Sequence, residues 1–154
     1  MSEPAVKLTD YQKNWVNDHS RFKIGVITRQ GGKSFGTALE AVLDCVERKT
    51  MWVFLSAGER QSKELMQKAA MHARAIGKAI VEIEGEFHGE DKTTYKQLEI
   101  VFPNGSRIIG LPANPDTARG WSANILLDEF ALHRDSRAIW KAMFFTVTRG
   151  YRIR

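Results

Sequence analysis

Two short stretches hold side chains capable of joint chemistry. "TRQGGKSFG", Thr28–Gly36, puts adjacent glycines before a lysine and a hydroxyl residue, and "LLDEFALH", Leu126–His133, ends an apolar run in two acids. Gly31 and Gly32 can take backbone angles closed to other residues, so successive N–H groups can turn inward as a nest for phosphate oxygens. Lys33 would then reach the β- and γ-phosphates of a nucleotide. Ser34 would offer its hydroxyl to Mg²⁺, and the helix starting there would aim its positive end at the same anion. These are the parts of G-x-x-x-x-G-K-[ST] in chain order, with Ile27 in place of the first glycine. An ordinary strand-to-helix turn explains "GGKS" alone equally well. Asp128 and Glu129 add a Mg²⁺ acid and a water-activating base at the separation such a site expects. Their plain reading is a cap on the following turn. A glutamate after the magnesium acid favours hydrolysis over phosphoryl transfer to a small molecule.

Periodicity gives the elements around these residues. The run Arg21–Ile27 predicts a buried strand before the glycines, and Phe35, Ala38, Leu39, Val42, Leu43 and Val46 give the next segment one apolar helical face. Upstream, Thr9 and Gln12 form a capping-box pattern opening a helix from Asp10 to Asp18. "MWVFLSA" reads as a second strand, followed by a helix with Leu65, Met66, Ala69, Ala73 and Ile76 on one face and Gly77 as its stop. Leu98, Ile100 and Phe102 alternate before Pro103-Asn104-Gly105-Ser106, a hairpin with an Asn-Gly turn. Ile125–Leu127 forms a buried strand, and a last helix from Ser136 turns Ile139, Trp140, Met143 and Phe144 inward. The expected fold is α/β: a mostly parallel sheet flanked by helices, with an inserted antiparallel hairpin. Ligands gather at the carboxyl ends of strands in such sheets, where both the glycine turn and the acids fall.

A chain of 154 residues, 43% hydrophobic and 27% charged, suits one folded domain and excludes a disordered tail. No apolar run approaches the ~18 residues of a membrane span. The start "MSEPAVKLTDYQ" lacks the layout of a signal peptide, and the lone Cys45 can form no internal disulfide, so a reducing cytoplasm is expected. His19, His72, His88 and His133 stand singly, without the spacing of a zinc site. The net charge of +5 favours polyanionic partners. Much of it lies in Arg134, Arg137, Lys141, Arg149, Arg152 and Arg154, against Asp135 alone. A DNA groove and a solvated helix face with a basic terminus explain that cluster equally well.

"YQKNW", "RQGGKSFG", "SAGERQSKEL" and "NPDTARGWSANILLDEFALH" together resemble the ATPase domain of phage terminase large subunits, most closely those of Mu-like phages. The resemblance covers nearly the whole chain from about Leu8. It implies a P-loop NTPase of the additional-strand, catalytic-glutamate type that uses ATP and Mg²⁺ and couples hydrolysis to translocation of double-stranded DNA into a procapsid. Gly31, Gly32, Lys33, Ser34 and Phe35 would hold the nucleotide, Ser34 and Asp128 the metal, and Glu129 the attacking water. Arg29 matches the arginine such P-loops carry, which can stabilise charge at the γ-phosphate and is worth ~10³–10⁵ in rate in that role. Tyr11 and Gln12 resemble the adenine-contacting element; a capped helix with a buried tyrosine explains them as well. Arg119 could approach the nucleotide or form a loop salt bridge, and Ser56 resembles the position coupling nucleotide to DNA. Implied partners are double-stranded DNA through its phosphates, a terminase small subunit, the portal and further copies of the chain, in the bacterial host cytoplasm with no membrane. The alternatives are a nucleotide- or partner-binding fragment without turnover, or a helicase-like motor, which should carry a second motor domain.

Terminase large subunits are longer than this chain. After the acidic strand and its helix they continue into a further core strand and then a nuclease domain, and "TVTRGYRIR" stands about where that strand should begin. Residues 1–154 are therefore expected to be a single, incomplete ATPase domain, with unpaired backbone groups beside the P-loop strand and weakened stability.

Overall fold

The computed structural model describes residues 5–154; the leader reading rests partly on Met1–Pro4, which lie outside the described residues. In chain order the elements are α1 (Asp10–Asn17), α2 (Lys33–Glu47), β1 (Met51–Ser56), α3 (Glu59–Ala75), β2 (Val81–His88), β3 (Thr94–Val101), β4 (Arg107–Pro112), α4 (Pro115–Ala118), β5 (Asn124–Leu127), a 3-10 turn (Phe130–Leu132), α5 (Ser136–Ala142) and α6 (Phe144–Thr148). The sheet order is β2-β3-β4-β1-β5. β1 runs parallel to both β4 and β5, and β3 is antiparallel to β2 and β4. A parallel core thus carries an antiparallel wing, and its hairpin closes at Gly105 with φ 84°. The wing holds one strand more than the sequence pattern predicts: β2 alternates Val81, Ile83 and Phe87 with glutamates and is exposed along nearly its whole length.

β1 is buried on both faces, as a central parallel strand must be. Trp52 and Phe54 pack with α2 and α3, while Val53 and Leu55 pack with α5 on the other side. On that second face Ile139 and Met143 point inward as expected. Trp140 and Phe144 do not; they are 43% and 57% exposed, each one position on from the inward Ile139 and Met143 and so turned about 100° away from the buried face.

The segment before the glycines departs furthest from expectation. No strand forms over Arg21–Ile27: Phe22 alone bridges, to Ile153, which bridges in turn to Ile125, both in parallel. Lys23 N–H donates to the Ile153 carbonyl and Ile153 N–H to the Arg21 carbonyl, each at 3.0 Å. Ile125 and Leu127 donate to the carbonyls of Arg152 and Arg154 from the other side. Residues 152–154 therefore lie between β5 and the P-loop segment. Among the described residues no ladder bond continues past Lys23, and Ile24 and Val26 are 92% and 98% exposed. An apolar β-branched run becomes a buried strand only where a neighbour pairs its edge.

The basic tail is partly internal. Arg154 forks onto Glu40 through Nε and Nη2 at 2.7–3.1 Å, and its Nη1 donates to the Arg21 carbonyl. Lys23 Nζ lies 2.9 Å from the same Glu40, and also donates to the carbonyls of Trp15 and Asp18. One turn on, Asp44 takes the Trp52 indole N–H at 2.9 Å and pairs with Arg48 and Arg152. Both acids are buried, so α2 is enclosed on more than its apolar face. Arg134, Arg137, Lys141 and Arg149 remain outside.

His72 on α3 is fully buried, its Nε2 2.9 Å from the Phe35 carbonyl and its ring edge-on to Phe35. A carbonyl only accepts, so Nε2 carries the proton, and Nδ1 has no hydrogen-bond partner among the described residues. Burial pushes the imidazole pKa down, against the opposing pull of the Phe35 carbonyl. A folded-state pKa below the unfolded one means stability is fully present above about pH 6.5 and is lost as pH falls through that value toward the folded pKa. Thermal melts at about pH 7.5 and pH 5.5 should show a larger loss for the parent than for His72→Gln, which keeps the donor but does not titrate. Equal losses would acquit His72.

Candidate nucleotide-binding site

The loop ahead of α2 divides its backbone demands differently from the pattern of its glycines. Gln30 and Gly32 take the left-handed conformation, with φ 59° and 78°, while Gly31 is not among the positive-φ residues. Gly31 is needed for space. A Cβ there would sit 2.8 Å from Ile27 Cγ2 and 3.0 Å from the Thr28 carbonyl, to which Gly31 N–H donates. Gly32 is the N-cap of the 15-residue α2, and among the described residues no side chain caps it. The first N–H groups of that helix therefore have no capping side chain, which is how a helix N-terminus receives an anion.

Across the carboxyl edge of the sheet, Asp128 follows directly on β5, and its N–H donates to the Leu55 carbonyl of β1. Its Oδ1 lies 3.0 Å from Lys33 Nζ, with the two side chains 12% and 27% exposed. Residues nearly a hundred positions apart thus meet in one ion pair. Glu129 follows in the left-handed region, φ 53° and ψ 40°, with its side chain exposed, and leads into the 3-10 turn. Strained backbone of this kind costs on the order of 1–3 kcal/mol and clusters where function holds it. Ser34, half-buried, sits in the first turn of α2 beside Lys33.

Gln12 reaches this loop directly. Its Oε1 accepts from Thr9 N–H and its Nε2 donates to the Gly32 carbonyl, both at 2.9 Å, with only 5% of the residue exposed. A Cβ on Gly32 would meet Gln12 Nε2 at 2.6 Å and Tyr11 Oη at 3.2 Å. Helix α1 is thereby locked to the loop, and Tyr11, 38% exposed, is not the buried tyrosine of the plain reading. Arg29 is exposed, and Phe35 packs against His72. Arg119 makes the loop ion pair, 2.7 Å from Glu90 and 4.0 Å from Asp116. Ser56 closes β1 fully buried, its hydroxyl unpartnered among the described residues. No group of three or more His, Cys, Asp or Glu gathers as a metal cluster among the described residues. Burial pushes the Cys45 thiol pKa up, which leaves it inert. Sequence reasoning missed His133: its Nε2 lies 2.9 Å from the Asp128 carbonyl and the residue is 9% exposed. A lone histidine five positions past an acid carries no signal of such a bond.

A glycine loop opening a helix, opposite a strand-end acid at the carboxyl edge of a parallel core, defines an α/β fold of the P-loop class. Residues 24–154 match the family model described as terminase large subunit, T4likevirus-type, N-terminal, and the chain belongs to that family. It is 28% identical over 99% of its length to Mu-like prophage FluMu protein gp28 of Haemophilus influenzae. It is 26% identical over 87% to the probable terminase large subunit gp28 of Escherichia phage Mu, and 29% over 88% to the probable terminase ATPase subunit of Haemophilus phage HP1. The chain spans 31%, 26% and 20% of the lengths of these relatives. The large terminase ATPase domain of Thermus phage P74-26 superposes with a TM-score of 0.71 at 17% identity, over 96% of this chain and 63% of that one. An arginine-to-alanine variant of the same domain gives 0.66. At such identity the likeness is one of fold.

Proposed function

We propose that residues 1–154 form a single ATPase domain: the ATP-hydrolysing motor module of a phage terminase large subunit, which couples hydrolysis to movement of double-stranded DNA into a procapsid. The observation that carries this reading is the 3.0 Å approach of Lys33 Nζ to Asp128 Oδ1, which brings the phosphate-binding lysine and the metal acid to one point. The backbone of Gly31 and Gly32, with Lys33 and the first turn of α2 through Phe35, holds the phosphates, and Tyr11 with Gln12 flanks the loop on the base side. Ser34 and Asp128 suit Mg²⁺, a hard cation that takes one or two protein oxygens and keeps waters; when bound it neutralises phosphate charge. Glu129 orients water and draws its proton, and Arg29, exposed on the loop, is free to approach the γ-phosphate.

Equilibrium binding of ATP with Mg²⁺ tests the cradle. Lys33→Ala should weaken affinity about tenfold or more, since losing a charge-assisted phosphate contact costs about 1.5–3 kcal/mol. Unchanged affinity in that variant would remove the cradle. DNA contact through phosphates, for which the exposed Arg134, Arg137, Lys141 and Arg149 are candidates, weakens steeply with salt. A small subunit, the portal and further copies of the chain in the bacterial cytoplasm are the partners of this reading. A second reading, nucleotide binding without turnover, is favoured by one observation: among the described residues no strand pairs with the edge over residues 24–28. Measurable ATP affinity with no phosphate release would select it.

A further inference from the structure

We infer that His133 is the positioning residue of the acid pair: its imidazole holds the Asp128 carbonyl and so fixes the left-handed elbow from which Glu129 projects. The inference rests on the ATPase reading of that site. Asp128 is fastened on three sides: its N–H donates to Leu55, its carboxylate pairs with Lys33, and its carbonyl takes His133 Nε2 at 2.9 Å. Beyond it the chain turns sharply. Glu129 sits at φ 53°, Leu132 N–H returns to the Glu129 carbonyl at 2.8 Å, and His133 N–H returns to Phe130 at 3.3 Å. A non-glycine residue keeps such a conformation only where its surroundings over-determine it. The side chain of His133 spans the turn from its far end, closing the loop of bonds back onto residue 128.

The imidazole is itself held. The residue is 9% exposed and its ring lies 6.1 Å from that of Phe130, which in turn meets Trp140 edge-on. Because the Asp128 carbonyl can only accept, Nε2 is the donor of this bond. The clamp depends on a donor placed at the distance of Nε2 from the main chain.

That distance supplies the test. A glutamine amide nitrogen lies the same number of bonds from Cα as histidine Nε2, whereas an asparagine nitrogen falls where Nδ1 lies. His133→Gln should keep kcat for ATP within about threefold of the parent. His133→Asn and His133→Leu should lose about tenfold or more in kcat with KM little changed, since a catalytic group misplaced by an ångström costs up to ~10²-fold. Melting curves of all three variants ensure that the comparison is made on folded protein. Hydrogen exchange at Leu132 and His133 amides should quicken in the Asn and Leu variants and not in the Gln variant, and ¹⁵N shifts of the parent ring should show Nε2 protonated. Parent-like kcat and exchange in His133→Asn would overturn the proposal, as would a ring protonated at Nδ1 alone. If the parent turns over no ATP, the enzymatic reading fails by itself, and the exchange and tautomer results still decide the clamp.

Discussion

Glu129→Gln should lower ATP turnover by about 10²–10⁴-fold, the range that a positioned general base supplies, while ATP and Mg²⁺ affinity stays close to that of the parent. Glutamine keeps the shape and one acceptor oxygen but removes the charge that draws a proton from water. The two acids differ in their surroundings: Glu129 is exposed at the sheet edge, whereas Asp128 is the carboxylate paired with Lys33 at 3.0 Å. Substituting Glu129 leaves that pair intact, so the loss should fall on kcat. Asp128→Asn, by contrast, should impair metal-dependent binding as well as turnover. Phosphate release at saturating ATP, run beside equilibrium binding, separates the two effects. A Glu129→Gln chain that hydrolyses ATP at the parent rate would remove Glu129 as the base and assign the activation of water to another group.

The site was more legible in the sequence than its support, for a physical reason. Residue types declare what chemistry they can do, so Lys33, Ser34, Asp128 and Glu129 could be grouped by function before their distances were known, and Lys33 and Asp128 do meet. How the backbone is shared out is a matter of packing. Two adjacent glycines suggest two unusual conformations, yet Gln30 takes the left-handed one and Gly31 is small because Ile27 and Thr28 crowd it. Periodicity found β1, α2 and α3 because each buries a continuous face, and it missed β2, which buries almost none. It also predicted a strand at Arg21–Ile27 from its apolar run, where composition cannot tell whether an edge finds a partner. Buried acids were invisible for the same reason: Glu40 and Asp44 lie one turn apart on a helix and look solvated until the cations that meet them come from Lys23, Arg152 and Arg154.

Those acids make the second strong prediction. Glu40→Gln should destabilise the fold by about 3–5 kcal/mol, the cost of breaking a buried pair and leaving its partners charged and unmatched. Arg154 and Lys23 both converge on this one carboxylate, with side chains 1% and 4% exposed. Burial already lowers the Lys23 ammonium pKa despite the pull of Glu40, so without that charge the cation keeps the carbonyls of Trp15 and Asp18, the face of the Trp15 ring and the weaker pull of the Asp18 carboxylate. For a domain of this size the melting temperature should fall by roughly 10 °C. Glu47→Gln, exposed at the end of the same helix, should change it by about 2 °C at most. The contrast matters because Glu40 is the knot between α1, the segment leading to the glycines, α2 and residues 152–154. The open edge past Lys23 leaves that segment with few other holds. Loosening the knot should therefore also raise the hydrogen-exchange rate of amides from Thr28 to Gly32, ahead of global unfolding. A Glu40→Gln chain that melts with the parent would mean that the buried charges relax into water and that the loop is held by Gln12 alone.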